Sequence, residues 1–414
     1  MAWCFCCSCA GANQMPTRYI YAIIFLFTNL IAWVVRDYSR EAFSTLRHFQ
    51  GCYGVHTCLA SEGVLRLSFG CFVFFAIMFV TTVGTSRIGG LRDGWHCGWW
   101  PLKFLLWILL MILPFFVPPA IIKVYGEIAR FGAGVFLVIQ LFSIVNFAYW
   151  WNEKWLAPEN SRRCFLPMLI VTTLSYVFCL IGLVIMYVWF APKPSCSLNI
   201  FFISWTLVLL LTMTLVSLHP KVSAGLMTSG LISLYIVFLC WSAIMSEPRS
   251  EVCNTRPRQT GKADLLTVLS FFMGLVAIVF ATFSTGADSN PFPANPTPDP
   301  ENQEIKRVPY SYGFFHFVFA VGSMYFAMLF VGWNLHQTML KWSIDVGWAS
   351  VWVKITNEWL AAGVYSKLKK KKKKPRTKKL NFSSFIFFPC SLDDGIICCL
   401  EYQAILVRNV LVFW

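Results

Sequence analysis

Ten runs of apolar residues alternate with polar or proline-rich segments along the chain. They lie near 19–35, 64–83, 102–123, 126–152, 165–190, 198–217, 222–245, 265–283, 311–333 and 349–365. A helix needs about 20 apolar residues to cross a hydrocarbon core of ~30 Å, so nearly every run predicts a membrane span. The first lacks a basic segment before it and a small-residue cleavage site after it, which predicts a retained helix rather than a signal peptide. The third ends in Pro114, Pro118 and Pro119, which remove backbone donors and predict a distorted or broken helix. The seventh carries Gly225, Ser229 and Ser233 at i+4 spacing, a ridge suited to close helix packing.

Residues 125–155 stand out from the other runs. As a helix they would reach ~45 Å, too long for the bilayer unless the helix tilts or protrudes. Glu127 and Arg130 are one helical step apart and can pair. Gly132, Ala133 and Gly134 allow a neighbouring backbone to approach. Gln140, Ser143 and Asn146 follow at i+3, a spacing that spreads them into a broad strip. Trp150, Trp151 and Trp155 mark the far membrane interface. Two readings stand side by side: a packed central helix whose polar atoms are satisfied by neighbours, or a strip lining a path for something polar.

Composition places the chain in a membrane. It is 57% hydrophobic and 13% charged, with a mean hydropathy of +0.62, and a soluble domain carries about twice that charge. The expected fold is therefore an all-α polytopic membrane protein. Of the net charge of +15, residues 361–414 hold +8, leaving +7 for the body. That is ordinary for basic loops and gives no support for a nucleic-acid partner.

Lys and Arg are nearly level between alternate loops, so they do not set the orientation. Cysteines are more informative. Cys52, Cys58, Cys196 and Cys253 fall in loops of one set, and an even number on one face suits an oxidising lumen. That predicts a cytosolic N-terminus. Cys52–Cys58 is the favoured bridge, since its short spacing asks least of the fold. Cys4, Cys6, Cys7 and Cys9, in a cysteine-rich cytosolic segment at 1–18, are candidates for acylation, with a soft-metal site as the weaker alternative. The stretch 284–310 is rich in proline, asparagine and acidic residues and reads as a disordered cytosolic loop.

Catalytic signatures are missing. No Walker loop, dinucleotide fingerprint, HExxH or nucleophile elbow occurs in the membrane body. Helix interiors hold almost no carboxylate, so neither a proton-driven nor a metal-driven site is expected. His219 and His316 stand isolated and read as structural. The chain is expected to be no enzyme and to need no cofactor.

The segments VPYSYGFFHFVFAVGSMYFAMLFVGW (308–333), HPKVSAGLMTSGLISLYIVFLCWSAIMSEP (219–248), EIARFGAGVFLVIQL (127–141) and VWVKITNEW (351–359) resemble the serine incorporator family, in the family's order. The cysteine-dense N-terminus and the Cys52/Cys58 loop are similar too, and several segments read like plant members. The resemblance covers 1–365. It implies about ten membrane helices in two bundles, bridged by a long tilted helix at 125–155, in the endoplasmic reticulum, Golgi or plasma membrane. It also implies a role in incorporating serine into phosphatidylserine and sphingolipids, or in ATP-independent lipid scrambling. Partners would be membrane phospholipids, serine and lipid-synthesis enzymes. On that reading Glu127, Arg130, Gln140, Ser143 and Asn146 would form the lipid path. A transporter or channel for a small polar solute is the alternative, and a headgroup-exchange enzyme a weaker one.

The resemblance stops after Tyr365. The tenth helix meets SKLKKKKKKPRTKK, and an apolar helix over 350–365 would span only ~24 Å. A lysine run followed by NFSSFIFFPC reads as A-rich and then pyrimidine-rich translated intron. The segment 366–414 is thus expected to be an artefact of the gene model, leaving the last helix truncated.

Overall fold

The computed structural model describes residues 14–42, 58–85, 88–156, 161–218, 226–248, 253, a few positions between 272 and 284, then 308, 310–333 and 344–371. All belong to one compact unit. Among them the structure is helical, without strands. The helices are α1 (Gln14–Ala42), α2 (Cys58–Thr82), α3 (Leu91–Cys97), α4 (Trp100–Ile112), α5 (Pro119–Leu156), α6 (Ser161–Phe190), α7 (Ser197–Leu218), α8 (Leu226–Met245), α9 (Tyr312–Val331) and α10 (Trp348–Lys371). A 3₁₀ turn at Leu113–Phe116 follows α4.

Seven of these helices are long and apolar enough to cross a membrane, and α3 with α4 and its 3₁₀ turn, bent by 67°, would make an eighth. The expected run at 265–283 is described only at isolated positions, and 284–310 lies almost wholly outside the described residues. The same holds for the tail beyond Lys371. Helix α10 continues through the first lysines to Lys371, past the expected end at 365. Lysine is a good helix former, so helical structure outlasts the apolar run that would cross lipid.

The prolines act as expected but shift a boundary. Pro114 falls in the 3₁₀ turn, and Pro119 opens α5, where its missing N–H costs nothing and its fixed φ suits a first turn. The long helix therefore has 38 residues rather than the 31 of 125–155, or ~57 Å of length. Arg66 of α2 holds the break by donating to the carbonyls of Pro114 and Val117 while pairing with Glu62 at 2.5 Å.

Packing divides the helices into two bundles. In the first, Phe25 of α1, Phe74 and Phe75 of α2, Leu110 of α4 and Phe319 and Met328 of α9 share one core. In the second, Met186 of α6, Ile203 of α7, Cys240 of α8 and Ile355 of α10 share another. Helix α5 belongs to both. Its Ile122, Tyr125, Ala129 and Ala133 enter the first core, whereas Leu141, Val145 and Ala148 pack with Met213, Ile236 and Tyr365 of the second bundle. Ser229 and Ser233 of the expected small-residue ridge are fully buried; Gly225 lies outside the described residues.

Candidate functional site along the bridging helix

The two halves of α5 bury different faces. Ala129, Ala133 and Phe136 are buried in the first half, and Leu141, Val145 and Ala148 recur twelve positions later. Twelve residues at ~100° each turn the face by about 120°. The first half is locked hard. Met324 of α9 sits where a side chain on Gly132 would go, Phe136 stacks on Tyr325 with centroids 4.9 Å apart, and Tyr125 Oη lies 2.8 Å from Ser68 Oγ. Ser68 in turn donates to the Ser323 carbonyl at 2.8 Å.

The polar residues lie outside the two buried faces of α5, half-buried or exposed. Arg130 donates to Glu127 at 2.7 Å, and the Glu127 side chain is 59% exposed. Gln140 and Ser143 are half-buried and Asn146 is exposed. No hydrogen bond from a neighbouring helix reaches these three among the described residues, and Arg130 Nε is likewise without a partner. The strip thus carries donors and acceptors that no neighbouring helix satisfies among the described residues, half-covered at Arg130, Gln140 and Ser143 and open at Glu127 and Asn146. Chemically it can exchange hydrogen bonds with a polar headgroup or its water.

Other polar clusters escaped sequence reading. At one end of the first bundle, Asp93 accepts from Tyr312 Oη and from the Gly89 N–H, both at 2.8 Å. His96 Nδ1 lies 3.0 Å from His316 Nε2, and its Nε2 lies 2.9 Å from Tyr310 Oη. Lys103, wholly buried, donates to the His96 carbonyl at 2.9 Å and lies within 5.4 Å of the ring centres of Tyr21, Trp95 and Trp100. His316 is therefore not isolated: its partner is 220 residues away. In the second bundle, Glu358 of α10 accepts from Thr206 of α7, and Lys354 donates to the Ser242 carbonyl of α8. The expectation of almost no carboxylate in the helix interiors fails at Asp93 and Glu358, both 1% exposed or less. Among the described residues, no three His, Cys, Asp or Glu side chains converge as metal ligands would.

Cys196 and Cys253 form a disulfide that ties the start of α7 to the segment after α8. Cys58 opens α2, while Cys52, Cys4, Cys6, Cys7 and Cys9 lie outside the described residues. In permeabilised cells, Cys196 and Cys253 should resist alkylation until a reductant is added. Ready labelling without reductant would exclude the bridge.

Comparison with known proteins converges with this architecture. The family model described as "Serine incorporator (Serinc)" matches residues 1–297 and 294–367. A "Probable serine incorporator" of Dictyostelium discoideum is 28% identical, covering 78% of this chain and 82% of its own. "Serine incorporator 3" of Bos taurus is 27% identical over 88% of this chain and 92% of its own. "Membrane protein TMS1" of Saccharomyces cerevisiae is 28% identical, over 68% and 61% respectively. With nearly the whole body matched in order, and the apolar helices packed as two bundles on one bridging helix, the chain belongs to the serine incorporator family.

Proposed function

We propose that this multi-pass membrane protein moves phospholipid headgroups across the bilayer without ATP and so supports serine incorporation into phosphatidylserine and sphingolipids. The observation that carries this reading is the strip Glu127, Arg130, Gln140, Ser143 and Asn146, half-buried or exposed outside the buried faces of α5. A headgroup stripped of water in hydrocarbon loses hydrogen bonds at a cost of several kcal/mol. Polar side chains at membrane depth replace part of that hydration while the acyl chains stay in lipid. Serine enters through the relatives' printed names. On this reading the protein is no enzyme and works beside the enzymes that make serine lipids. Its place is the endomembrane system, and the Cys196–Cys253 end faces an oxidising lumen, which puts the N-terminus in the cytosol.

Reconstitution in vesicles of pure phospholipid, with a fluorescent headgroup-labelled lipid and a membrane-impermeant quencher, tests the reading. The wild type should expose inner-leaflet label within minutes without nucleotide. Gln140→Leu combined with Asn146→Leu should remain folded and flip about tenfold more slowly, since two lost polar contacts of ~1 kcal/mol each bound the effect. Normal flipping in the double variant removes the path. Solute flux in place of flipping would favour a transporter, and a new lipid product would favour an enzyme.

A further inference from the structure

The second bundle holds a buried carboxyl group that the lipid path does not use. Glu358 of α10 is 1% exposed. Thr206 of α7 donates to its Oε1 at 2.9 Å, and its Oε2 meets no donor among the described residues. Lys354 lies one turn earlier on the same face, but its ammonium is engaged elsewhere. Its Nζ is 2.5 Å from Asp345 Oδ2 and 2.6 Å from Ser246 Oγ, and it donates to the Ser242 carbonyl at 3.2 Å. Asp345, 8% exposed, keeps its Oδ1 without a partner. Two carboxyl groups thus compete for one ammonium. Around them, the segment after α8 contributes Glu247, whose carboxylate accepts from Asn199 Nδ2 at 3.3 Å, and α8 itself contributes Cys240 and Tyr235, the last bonded to Asn357 at 3.2 Å.

A bare carboxylate oxygen in an apolar core needs a positive charge or a proton. A proton is the one ligand that neutralises it without requiring any added volume. We propose that Glu358 is a proton-binding site in exchange with the Asp345–Lys354 end of the second bundle, and that its occupancy decides which carboxyl group Lys354 pairs with. Uptake turns the Glu358 carboxylate and a hydronium ion into a carboxylic acid and water; no electrons move. When the proton leaves, Lys354 swings from Asp345 to Glu358, across the roughly 5–6 Å that separates i and i+4 positions. Asp345 then keeps its charge in the segment just before α10. That end also carries the Cys196–Cys253 bridge, so the second bundle responds to the proton concentration on that side, independently of any lipid movement along α5.

Infrared titration of the full-length protein in lipid nanodiscs tests the site. The wild type should show the carbonyl stretch of a protonated carboxyl, shifted in D₂O and lost as the pH is raised. Carbon-13 labelling of glutamate should shift that band, which assigns it to Glu without any variant. E358Q should lack it. D345N should lose it too, because the freed Lys354 then ionises Glu358. A wild type with no glutamic-acid band at any pH overturns the proposal, as does a band that survives in E358Q. A band that persists in D345N overturns the exchange of Lys354 between the two carboxyl groups.

Discussion

Gly70→Val should sharply reduce the amount of folded protein recovered from membranes, with a loss of about 3 kcal/mol, the upper end of what overpacking costs. Gly70 lies where α2 crosses the end of α4. A β-carbon there would overlap the Leu110 carbonyl oxygen, far inside van der Waals distance, and it would also press on Met111. The obstacle is backbone, so rotamer changes cannot relieve it. The alternative is to push α4 away from α2, which would pull Pro114 and Val117 off Arg66 and leave a buried guanidinium short of acceptors. Gly134→Ala is the matched control. Nothing lies within 4 Å of a β-carbon at Gly134, on α5, so alanine there should be neutral or should stabilise by about 0.5–1 kcal/mol through helix propensity. Thermal melts of the two variants in detergent should separate clearly. Equal melting would mean that the α2–α4 contact is not tight.

Asp93→Ala should be the other strongly destabilising change. The carboxyl group is wholly buried and accepts from Tyr312 Oη and the Gly89 N–H. Removing it leaves two donors unmet at ~1–3 kcal/mol each, so about 3 kcal/mol in total is expected. The lost contacts tie α3 to α9, so the bent α3–α4 unit should loosen first. Proteolysis or hydrogen exchange should localise the change to 88–103. Asp93→Asn keeps an acceptor and should cost less, and Tyr312→Phe removes one donor but leaves the buried Asp93 carboxyl short of a partner, so it should also destabilise. If Asp93→Ala melts like the wild type, the knot of buried polar groups around His96 is incidental to the fold.

Both predictions rest on contacts between residues far apart in sequence, and the limit of sequence reading lies there. Apolar runs of sufficient length determined the membrane class, since backbone in lipid must satisfy its own hydrogen bonds and helices do so locally. The beam was legible because Glu127, Arg130, Gln140, Ser143 and Asn146 interrupt an otherwise apolar helix of excess length. The proline break between α4 and α5 was legible because proline acts on its own backbone.

Tertiary structure decided which faces are covered. Periodicity offered one strip on α5, but it could not foresee that the buried face turns where the helix passes from one bundle to the other. That turn leaves Gln140 and Ser143 half-buried and Asn146 exposed, instead of satisfied by a neighbour. His96 and His316 meet only because α9 returns beside α3. Glu358 and Lys354 interrupt the last apolar run, and packing gives them Thr206, Asp345 and Ser246 as partners. The physical reason is common to all three. Hydrophobic length and backbone restraint act within a segment, so the order of residues alone determines them. The cost of a buried polar group depends on what another segment brings to it, and only the folded chain specifies that.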